Sequence, residues 1–301
     1  MSTIRRVTRY DECTIRLPDG YEAYGRYWPP SPDAELTTAA GPACRAVLYV
    51  HGIQSHCGWY EASAARLQSA GFAVLQFDRR GSGRNTQQRA HAESARQLID
   101  DTLCCLSELL RQSGEKRAHA LGVSWGGKLV AAMHVTDPSR TASLTLITPG
   151  LYPLVGVSNA EKFRIGLSML SKPTNLFDIP LNDPGLFTSV PKWMAFLRDD
   201  PLQLHQATAG FYLASRRMDR IALALGDAPS VPIHLMLAAD ERIIDNERTR
   251  HFVRELRWPN RVITTYQHSR HTLEFDPDRD AYLDDLVRWL RDPAVYCRQS
   301  A

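Results

Sequence analysis

Ser124 stands at the centre of the segment Gly122-Val123-Ser124-Trp125-Gly126, which follows a short apolar run and precedes a helical pattern. A serine on a sharp strand-to-helix turn projects its hydroxyl above the ends of the strands, and the flanking glycines leave room where a Cβ would clash. The first amides of the following helix favour a negative charge that develops there. The segment therefore predicts that Ser124 is the nucleophile of a covalent mechanism.

A second loop, HGIQSH at residues 51–56, also follows an apolar run. A backbone N–H in such a loop supplies half of the site that binds the oxyanion of a tetrahedral intermediate. We expect the N–H groups of Ile53 and Trp125 to act there together. His51 comes before Ser124, whereas the chain order serine, acid, histidine puts the base after it. We therefore interpret His51 as a structural histidine that braces the loop.

A third loop, FDRRGSGRN at residues 77–85, contains two glycines in a tight turn. Its spacing fits neither the P-loop nor the dinucleotide-binding pattern, so it predicts no phosphate site. We interpret it as a structural turn with a potential internal ion pair between Asp78 and Arg80.

The other members of a catalytic triad are expected later in the chain, after the last two apolar runs. The first of these is followed by the candidate acids Asp240, Glu241 and Asp245, and the second by His268 and His271. A histidine in the last loop can contact both the serine and an acid from the neighbouring strand end. Two of these residues have simple structural interpretations: His268 as an exposed loop histidine, and Asp245 as a helix N-cap.

The elements that must position these residues alternate between compact apolar runs and helical patterns. Apolar runs typical of strands buried on both faces occur at 45–50, 72–78, 117–123, 143–149, 231–239 and 261–267. Helical patterns separate them, which predicts an α/β fold with a mostly parallel sheet flanked by helices. Residues 14–28 precede this alternation and predict two strands joined by a tight turn.

Residues 151–230 interrupt the alternation with seven prolines and helical patterns between them. We expect residues 1–150 and 231–301 to form the core, and residues 151–230 to form a helical cap over the active site. The cap segment is rich in aromatic residues, which suits an apolar acyl or aromatic substrate, although packing within the cap explains any single one equally well. These residues are Tyr152, Phe163, Phe177, Phe187, Trp193, Phe196, Phe211 and Tyr212.

Composition excludes several classes of protein. The 301 residues are 44% hydrophobic and 23% charged, with a net charge of +3, as in a well-cored globular protein without a nucleic-acid surface. The N-terminus lacks the apolar stretch of a secretory signal, and no run is long enough to span a membrane. The six cysteines are scattered without metal-ligand spacing. We expect a cytoplasmic protein without metal, organic cofactor or nucleic-acid partner.

The loops HGIQSHCGWY, FDRRGSGRN, GVSWGG, DERIIDN and SRHTLEF, in that order, resemble the monoglyceride lipase and lysophospholipase group of α/β-hydrolases. The resemblance extends from about residue 14 to residue 292 and is weakest in the cap. It implies an α/β-hydrolase fold with Ser124 as the nucleophile, His271 as the base and an acid within DERIIDN.

The position of the acid departs from the family pattern. In that family, the proline or aspartate that opens the next helix stands four residues after the catalytic aspartate. Counting back four residues from Asp245 reaches Glu241. Glu241 also stands 30 residues before His271, a separation that matches the family. We predict Glu241 as the acid and keep Asp240 as the alternative, since either carboxylate can orient an imidazole.

Together these features predict a serine hydrolase that cleaves a carboxylic ester of a small, apolar acyl substrate through an acyl-enzyme. An amide hydrolase resembling proline iminopeptidases remains open, as does cleavage of a thioester or lactone. Two features argue against such an amide hydrolase. The oxyanion loop is HGIQSH rather than a glycine-rich loop. Residues 151–230 contain seven acidic and eight basic residues, which argues against a cap that binds an amine. A catalytically inactive ligand-binding protein of the same fold is a further possibility.

Overall fold

The computed structural model describes residues 10–299 except residues 33, 35, 36, 39, 40 and 43. The strands are β1 (Asp11–Arg16), β2 (Glu22–Trp28), β3 (Thr37–Thr38), β4 (Gly41–Pro42), β5 (Ala46–Val50), β6 (Ala73–Phe77), β7 (Ala118–Val123), β8 (Thr141–Ile147), β9 (Leu176–Asp178), β10 (Gln206–Thr208), β11 (Ile233–Ala238) and β12 (Arg261–Tyr266). The helices are α1 (Glu61–Ser69), α2 (Ala95–Ser113), α3 (Trp125–Thr136), α4 (Asn159–Ser171), α5 (Pro191–Asp199), α6 (Ala209–Leu223), α7 (Asn246–Glu255), α8 (Arg279–Arg291) and α9 (Pro293–Gln299).

Eight strands form one sheet in the order β1-β2-β6-β5-β7-β8-β11-β12. Strands β1 and β2 are antiparallel to each other, and β2 is antiparallel to β6, whereas the pairs from β6 to β12 are parallel. Every residue of β5, β6, β7 and β11 is buried, as expected of strands covered by helices on both faces. The mostly parallel sheet flanked by helices is confirmed.

The parallel strands bring distant parts of the sequence to one edge of the sheet. The loops that follow β5, β6, β7, β11 and β12 begin at the carboxyl ends of neighbouring strands. Binding sites of α/β sheets form at this edge. All the candidate catalytic residues lie in these loops or at the start of α3.

The segment between β8 and β11 contains α4, α5 and α6, together with a two-stranded antiparallel pair, β9 and β10, that the helical patterns did not predict. Helix α6 packs on α3, where the rings of Phe211 and Trp125 stack with centroids 5.2 Å apart. The division into core and cap at residues 151 and 231 stays a prediction.

Three expectations concern features away from the sheet. The first nine residues, which were predicted not to be a secretory signal, lie outside the described residues. Among the described residues, no helix is long and apolar enough to cross a membrane. The six cysteines are free thiols.

Candidate active site

Ser124 lies between β7 and α3 with a strained backbone. Its φ and ψ angles are 53° and −123°, in a region that side chains with a Cβ rarely adopt. The flanking glycines are required by close backbone contacts. A Cβ on Gly126 would lie 2.4 Å from the carbonyl oxygen of Val50, and one on Gly122 would lie 2.4 Å from the carbonyl oxygen of Gly126. The turn can therefore form only with glycine on both sides of the serine.

His271 lies in the loop after β12, with its ring against Ser124. Its Nε2 is 2.8 Å from the Ser124 Oγ, and the residue is 1% exposed. The Thr148 hydroxyl donates to the His271 carbonyl, and the rings of Phe187 and His271 form a T-shaped pair with centroids 6.0 Å apart. His268 is exposed, and its backbone N–H donates to the Asp278 carboxylate. Of the two candidate histidines, the structure brings His271 to the serine.

Glu241 lies on the other side of the imidazole. Its two carboxylate oxygens are 3.0 and 2.9 Å from Nδ1 of His271, and its side chain is 1% exposed. Oε1 also accepts the backbone N–H groups of Arg242 and Ile243 at 2.9 and 2.8 Å. Because a carboxylate accepts hydrogen bonds only, Nδ1 carries the proton and Nε2 presents its lone pair to the Ser124 hydroxyl.

The other candidate acids have surface roles. Asp240 is half-exposed and forms ion pairs with Arg242 and Arg270, both at 2.9 Å. The hydrogen bonds from these two arginines hold the pKa of Asp240 below its ordinary value. Asp245 accepts the N–H of Arg248 and caps helix α7, as its structural interpretation predicted.

The loop predicted to hold half of the oxyanion site lies directly beside the serine. A Cβ on Gly52 would lie 3.3 Å from the Cβ of Ser124. Ile53 and Trp125 both line the cavity next to Ser124. His51 braces the start of this loop, because its Nδ1–H donates to the Gly52 carbonyl and its Nε2 accepts the N–H of Arg79. Burial and the nearby Arg79 charge lower the pKa of His51 well below its ordinary value, so the ring stays neutral.

Arg79 was not singled out from the sequence. Its Nη2 donates to the carbonyl oxygens of Gly52 and Ile53 at 2.8 and 2.9 Å. The guanidinium lies over the Trp125 ring, 4.5 Å from its centroid, and the residue is 2% exposed. One buried side chain thus joins the two backbone segments that flank the serine hydroxyl.

The expectation of an ion pair between Asp78 and Arg80 is wrong. Asp78 faces into its own turn and accepts the N–H groups of Cys57 and Arg84, both at 2.8 Å. Arg80 instead forms ion pairs with Asp101 on helix α2 and with Asp19 in the turn between β1 and β2. Each side chain binds residues from elements that are distant in the sequence, and local spacing does not predict such partners.

The fold also assembles a cluster of three metal-ligating residue types, His56, Cys57 and Asp78, whose donor atoms lie within 4.8 Å of one another. Spacing did not predict it, since Asp78 follows a different strand. Its groups are used by the protein itself. His56 Nδ1 accepts the N–H of Gly58, and Nε2–H donates to Asp200, so no imidazole lone pair is left for a metal. Burial and the nearby Asp78 raise the pKa of the Cys57 thiol well above its ordinary value.

A cavity of about 750 Å³ opens beside Ser124, and its wall is mainly aliphatic. The apolar lining residues are Ile53, Pro153, Leu154, Val155, Val157, Ile165, Met169, Ile179, Pro180, Leu181, Leu213, Ile243 and Ile244. Of the aromatic residues noted between 151 and 230, Tyr212 alone is among the described lining residues. Trp193 and Phe196 pack on Phe275 instead, and Phe163 is exposed. The aromatic residues of this segment therefore serve mostly in packing.

Comparison with known proteins gives a family match and a similar lipase. The family described as serine aminopeptidase, S33, matches residues 41–278. The monoacylglycerol lipase of Mycolicibacterium smegmatis is 23% identical over 245 residues, which are 81% of this chain and 87% of that protein.

Two solved structures have the same fold. The monoacylglycerol lipase of Paleococcus ferrophilus has a TM-score of 0.76 at 20% identity, over 90% of this chain and 99% of its own. A soluble variant of monoglyceride lipase from Saccharomyces cerevisiae, in complex with a substrate analog, has a TM-score of 0.78 at 18% identity, over 96% and 97% of the two chains. The α/β-hydrolase fold and the resemblance to monoglyceride lipases are confirmed.

Proposed function

Because the chain belongs to the serine aminopeptidase S33 family of α/β-hydrolases and is a serine hydrolase, we propose that it cleaves carboxylic esters with Ser124, His271 and Glu241. One observation carries this proposal: an unbroken chain of hydrogen bonds from Glu241 through His271 to a strained serine that lines an aliphatic cavity. Ile53 and Trp125 are the proposed oxyanion donors.

The proposed reaction begins with proton transfer within this chain of hydrogen bonds. Nε2 of His271 accepts the hydroxyl proton of Ser124 while Oγ attacks the ester carbonyl carbon. The imidazolium that forms keeps its Nδ1–H on Glu241, whose negative charge stabilises it. Burial of both side chains strengthens this attraction, since little water screens it.

The reaction then completes acylation and deacylation of the serine. The oxyanion of the tetrahedral intermediate is stabilised by the N–H groups of Ile53 and Trp125, and His271 returns the proton to the leaving alcohol. Water, activated by the same histidine, hydrolyses the acyl-enzyme and regenerates the Ser124 hydroxyl. His271 makes every proton transfer, so the proposed reaction needs neither a metal nor an organic cofactor.

The aliphatic lining of the cavity supports an apolar acyl substrate. Relatives named as monoacylglycerol lipases are consistent with this choice. Residues 151–230 supply more than half of the apolar lining residues, including Val157, Ile165 and Leu213. We propose on this basis that the segment acts as a cap that forms one wall of the substrate site. A cytoplasmic location stays a prediction, and free cysteines are compatible with it.

Hydrolysis of an aminoacyl amide is the competing candidate, given the name of the family. An aminopeptidase site needs a carboxylate that is free to bind the substrate ammonium. Asp219 is the acidic residue among the described lining residues, and Lys128 and Arg216 already surround its carboxylate. This arrangement favours the ester over the amide of a free amino acid.

The decisive experiment compares p-nitrophenyl esters of increasing acyl length with an aminoacyl p-nitroanilide. We expect kcat/KM for the esters to rise with acyl length, because each buried methylene contributes up to about 0.8 kcal/mol and about 1.4 kcal/mol gives a tenfold change. His271→Ala should reduce kcat by several orders of magnitude, whereas His268→Ala serves as the matched control. Faster cleavage of the anilide than of every ester would contradict the proposal.

A further inference from the structure

The aliphatic cavity has one polar corner, formed by Lys128 on α3 and by Ser215, Arg216 and Asp219 on α6. Lys128 lies four residues after Ser124, one turn along the same helix. The corner is therefore part of the chamber into which the Ser124 hydroxyl opens. The proposed reaction uses none of these four side chains.

Among the residues that the structure describes, the hydroxyl proton of Ser215 has no acceptor. The Oγ of Ser215 accepts hydrogen bonds from Nε1 of Trp125 at 2.9 Å and from Nζ of Lys128 at 3.0 Å. A hydroxyl offers two acceptor lone pairs and one donor, so these two bonds use both lone pairs. The O–H of Ser215 must point elsewhere, and the residue lines the cavity. Ser215 can therefore act toward a ligand only as a donor.

Lys128 presents a buried ammonium at the same corner. Its side chain is 7% exposed, and Nζ donates to Asp219 at 2.6 Å and to Ser215 at 3.0 Å. An ammonium has three N–H groups, so one remains beyond these two bonds. Burial lowers the pKa of Lys128, and the Asp219 charge opposes this effect. A second negative group at the corner would further stabilise the charged form.

The balance of charge at this corner is positive. Lys128 and Arg216 carry two positive charges, against the single carboxylate of Asp219. Asp219 is held by Lys128, and Arg216 lies 3.8 Å away. A ligand group therefore meets N–H and O–H donors and a net positive charge. An oxygen acceptor with negative charge complements both features, and an ammonium complements neither.

We propose that this corner is a subsite for a carboxylate carried by the substrate at a distance from the scissile ester. The preferred substrates are then monoesters of dicarboxylic acids, or similar anionic esters, with an aliphatic spacer. This inference rests on the proposed ester hydrolysis at Ser124. It adds a polar determinant to a cavity whose remaining wall selects apolar chains.

The test measures a ratio within one enzyme. Mono-p-nitrophenyl esters of dicarboxylic acids with four to ten carbons are compared with p-nitrophenyl esters that carry a terminal methyl ester at the same length. A third series carries a terminal ammonium. We expect kcat/KM at the best length to be at least tenfold higher for the carboxylate than for the neutral ester, and lowest for the ammonium. This preference should shrink as NaCl is raised, because Arg216 is exposed.

Two variants assign the preference to the corner. Ser215→Ala removes the free donor and should lower the carboxylate-to-neutral ratio about tenfold, since hydrogen bonds to charged groups are the stronger ones. Arg216→Gln should lower the ratio two- to threefold, because the side chain is 79% exposed and screened by solvent. Arg217→Gln is the matched control: it removes an exposed arginine of the same helix that does not line the cavity, and the ratio should stay as in the wild type.

The outcomes separate this inference from the proposed function. A ratio of one or below in the wild type, with hydrolysis of the neutral esters intact, would overturn the carboxylate subsite alone. An equal loss of ratio in Arg217→Gln and Arg216→Gln would also overturn it, because the effect would then be general surface charge. Absence of hydrolysis for every ester would overturn the proposed function and this inference together.

Discussion

The guanidinium of Arg79 lies 4.5 Å from the centre of the Trp125 ring while its Nη2 donates to the carbonyl of Ile53. Ile53 and Trp125 are the two residues whose backbone N–H groups are proposed to bind the oxyanion. Among the described residues, Arg79 forms no ion pair with a carboxylate, and burial lowers its pKa to about 9. Burial of an arginine without a carboxylate partner destabilises the folded protein, which indicates that the contacts of Arg79 have a function. We infer that Arg79 fixes the spacing of the oxyanion donors.

Replacement of Arg79 should therefore reduce kcat more than it changes KM. Arg79→Met fills much of the same space but removes the donor of the Ile53 carbonyl and leaves the Gly52 carbonyl with the Nδ1–H of His51 alone. We expect kcat to fall about tenfold to a hundredfold, somewhat less than the loss of a whole oxyanion donor. Steady-state kinetics with one activated ester measure this, and Arg84→Met, at an exposed position, is the control. A folded Arg79→Met enzyme with normal kcat would show that the oxyanion loop keeps its geometry without Arg79.

Two substitutions at Ser124 separate chemistry from strain. Both Ser124→Ala and Ser124→Gly lack the hydroxyl, so a fluorophosphonate probe that labels the wild type should label neither. Glycine tolerates φ = 53° and ψ = −123°, whereas alanine retains the Cβ that makes this conformation costly. We expect Ser124→Gly to be more stable than Ser124→Ala by about 1 kcal/mol in chemical unfolding. Probe labelling that persists in either variant would remove Ser124 from the mechanism.

Continuous apolar runs were sufficient to predict the strands of the parallel sheet, because strands covered on both faces tolerate few polar residues. Register was sufficient to predict which carboxylate lies beside His271. An offset of four residues from the helix cap Asp245 selects Glu241 rather than Asp240, and the structure brings Glu241 to His271. Local spacing is informative where a turn and a helix start fix the geometry.

Long-range partners could not be predicted in this way. Arg79 and Arg80 are adjacent and chemically identical, yet one reaches the oxyanion loop and the other helix α2. Both side chains are buried, and which partner each one reaches depends on the strand twist and on the elements packed around the turn. The pair β9 and β10 was missed for the same reason, because three-residue strands leave too short a pattern to recognise.

Glu241 and Asp240 are adjacent, and their environments predict opposite results. Glu241→Gln keeps the shape of the side chain but removes the charge that fixes the imidazole tautomer and stabilises the imidazolium. We expect kcat to fall about 10⁴-fold, as for Asp-to-Asn changes in such triads. Asp240→Asn affects only a half-exposed group paired with Arg242 and Arg270, and should stay within roughly tenfold of wild type. The reverse ranking, measured with one activated ester, would transfer the role to Asp240.

Glu274, three residues after His271, predicts a pH dependence of stability. Its carboxyl group is buried, and burial raises its pKa to about 7, although the N–H and hydroxyl of Ser63 donate to it. In the unfolded chain the ordinary pKa of 4.5 applies. Between these two values the folded protein holds a proton that the unfolded chain has released. The contribution of Glu274 to the free energy of unfolding therefore decreases as the pH rises from about 4.5 to about 7, and is constant above that.

Glu274→Gln removes this titration and resembles the protonated form. The free energy of unfolding of the variant, relative to wild type, should increase between pH 5 and pH 8 by an amount on the order of 3 kcal/mol. Urea unfolding at each pH measures the difference directly. Glu93→Gln, at an exposed position, should show no such trend, which controls for the loss of a negative charge. Parallel stability profiles for wild type and Glu274→Gln would mean that Glu274 is ionised throughout this range, and that its bonds from Ser63 outweigh burial.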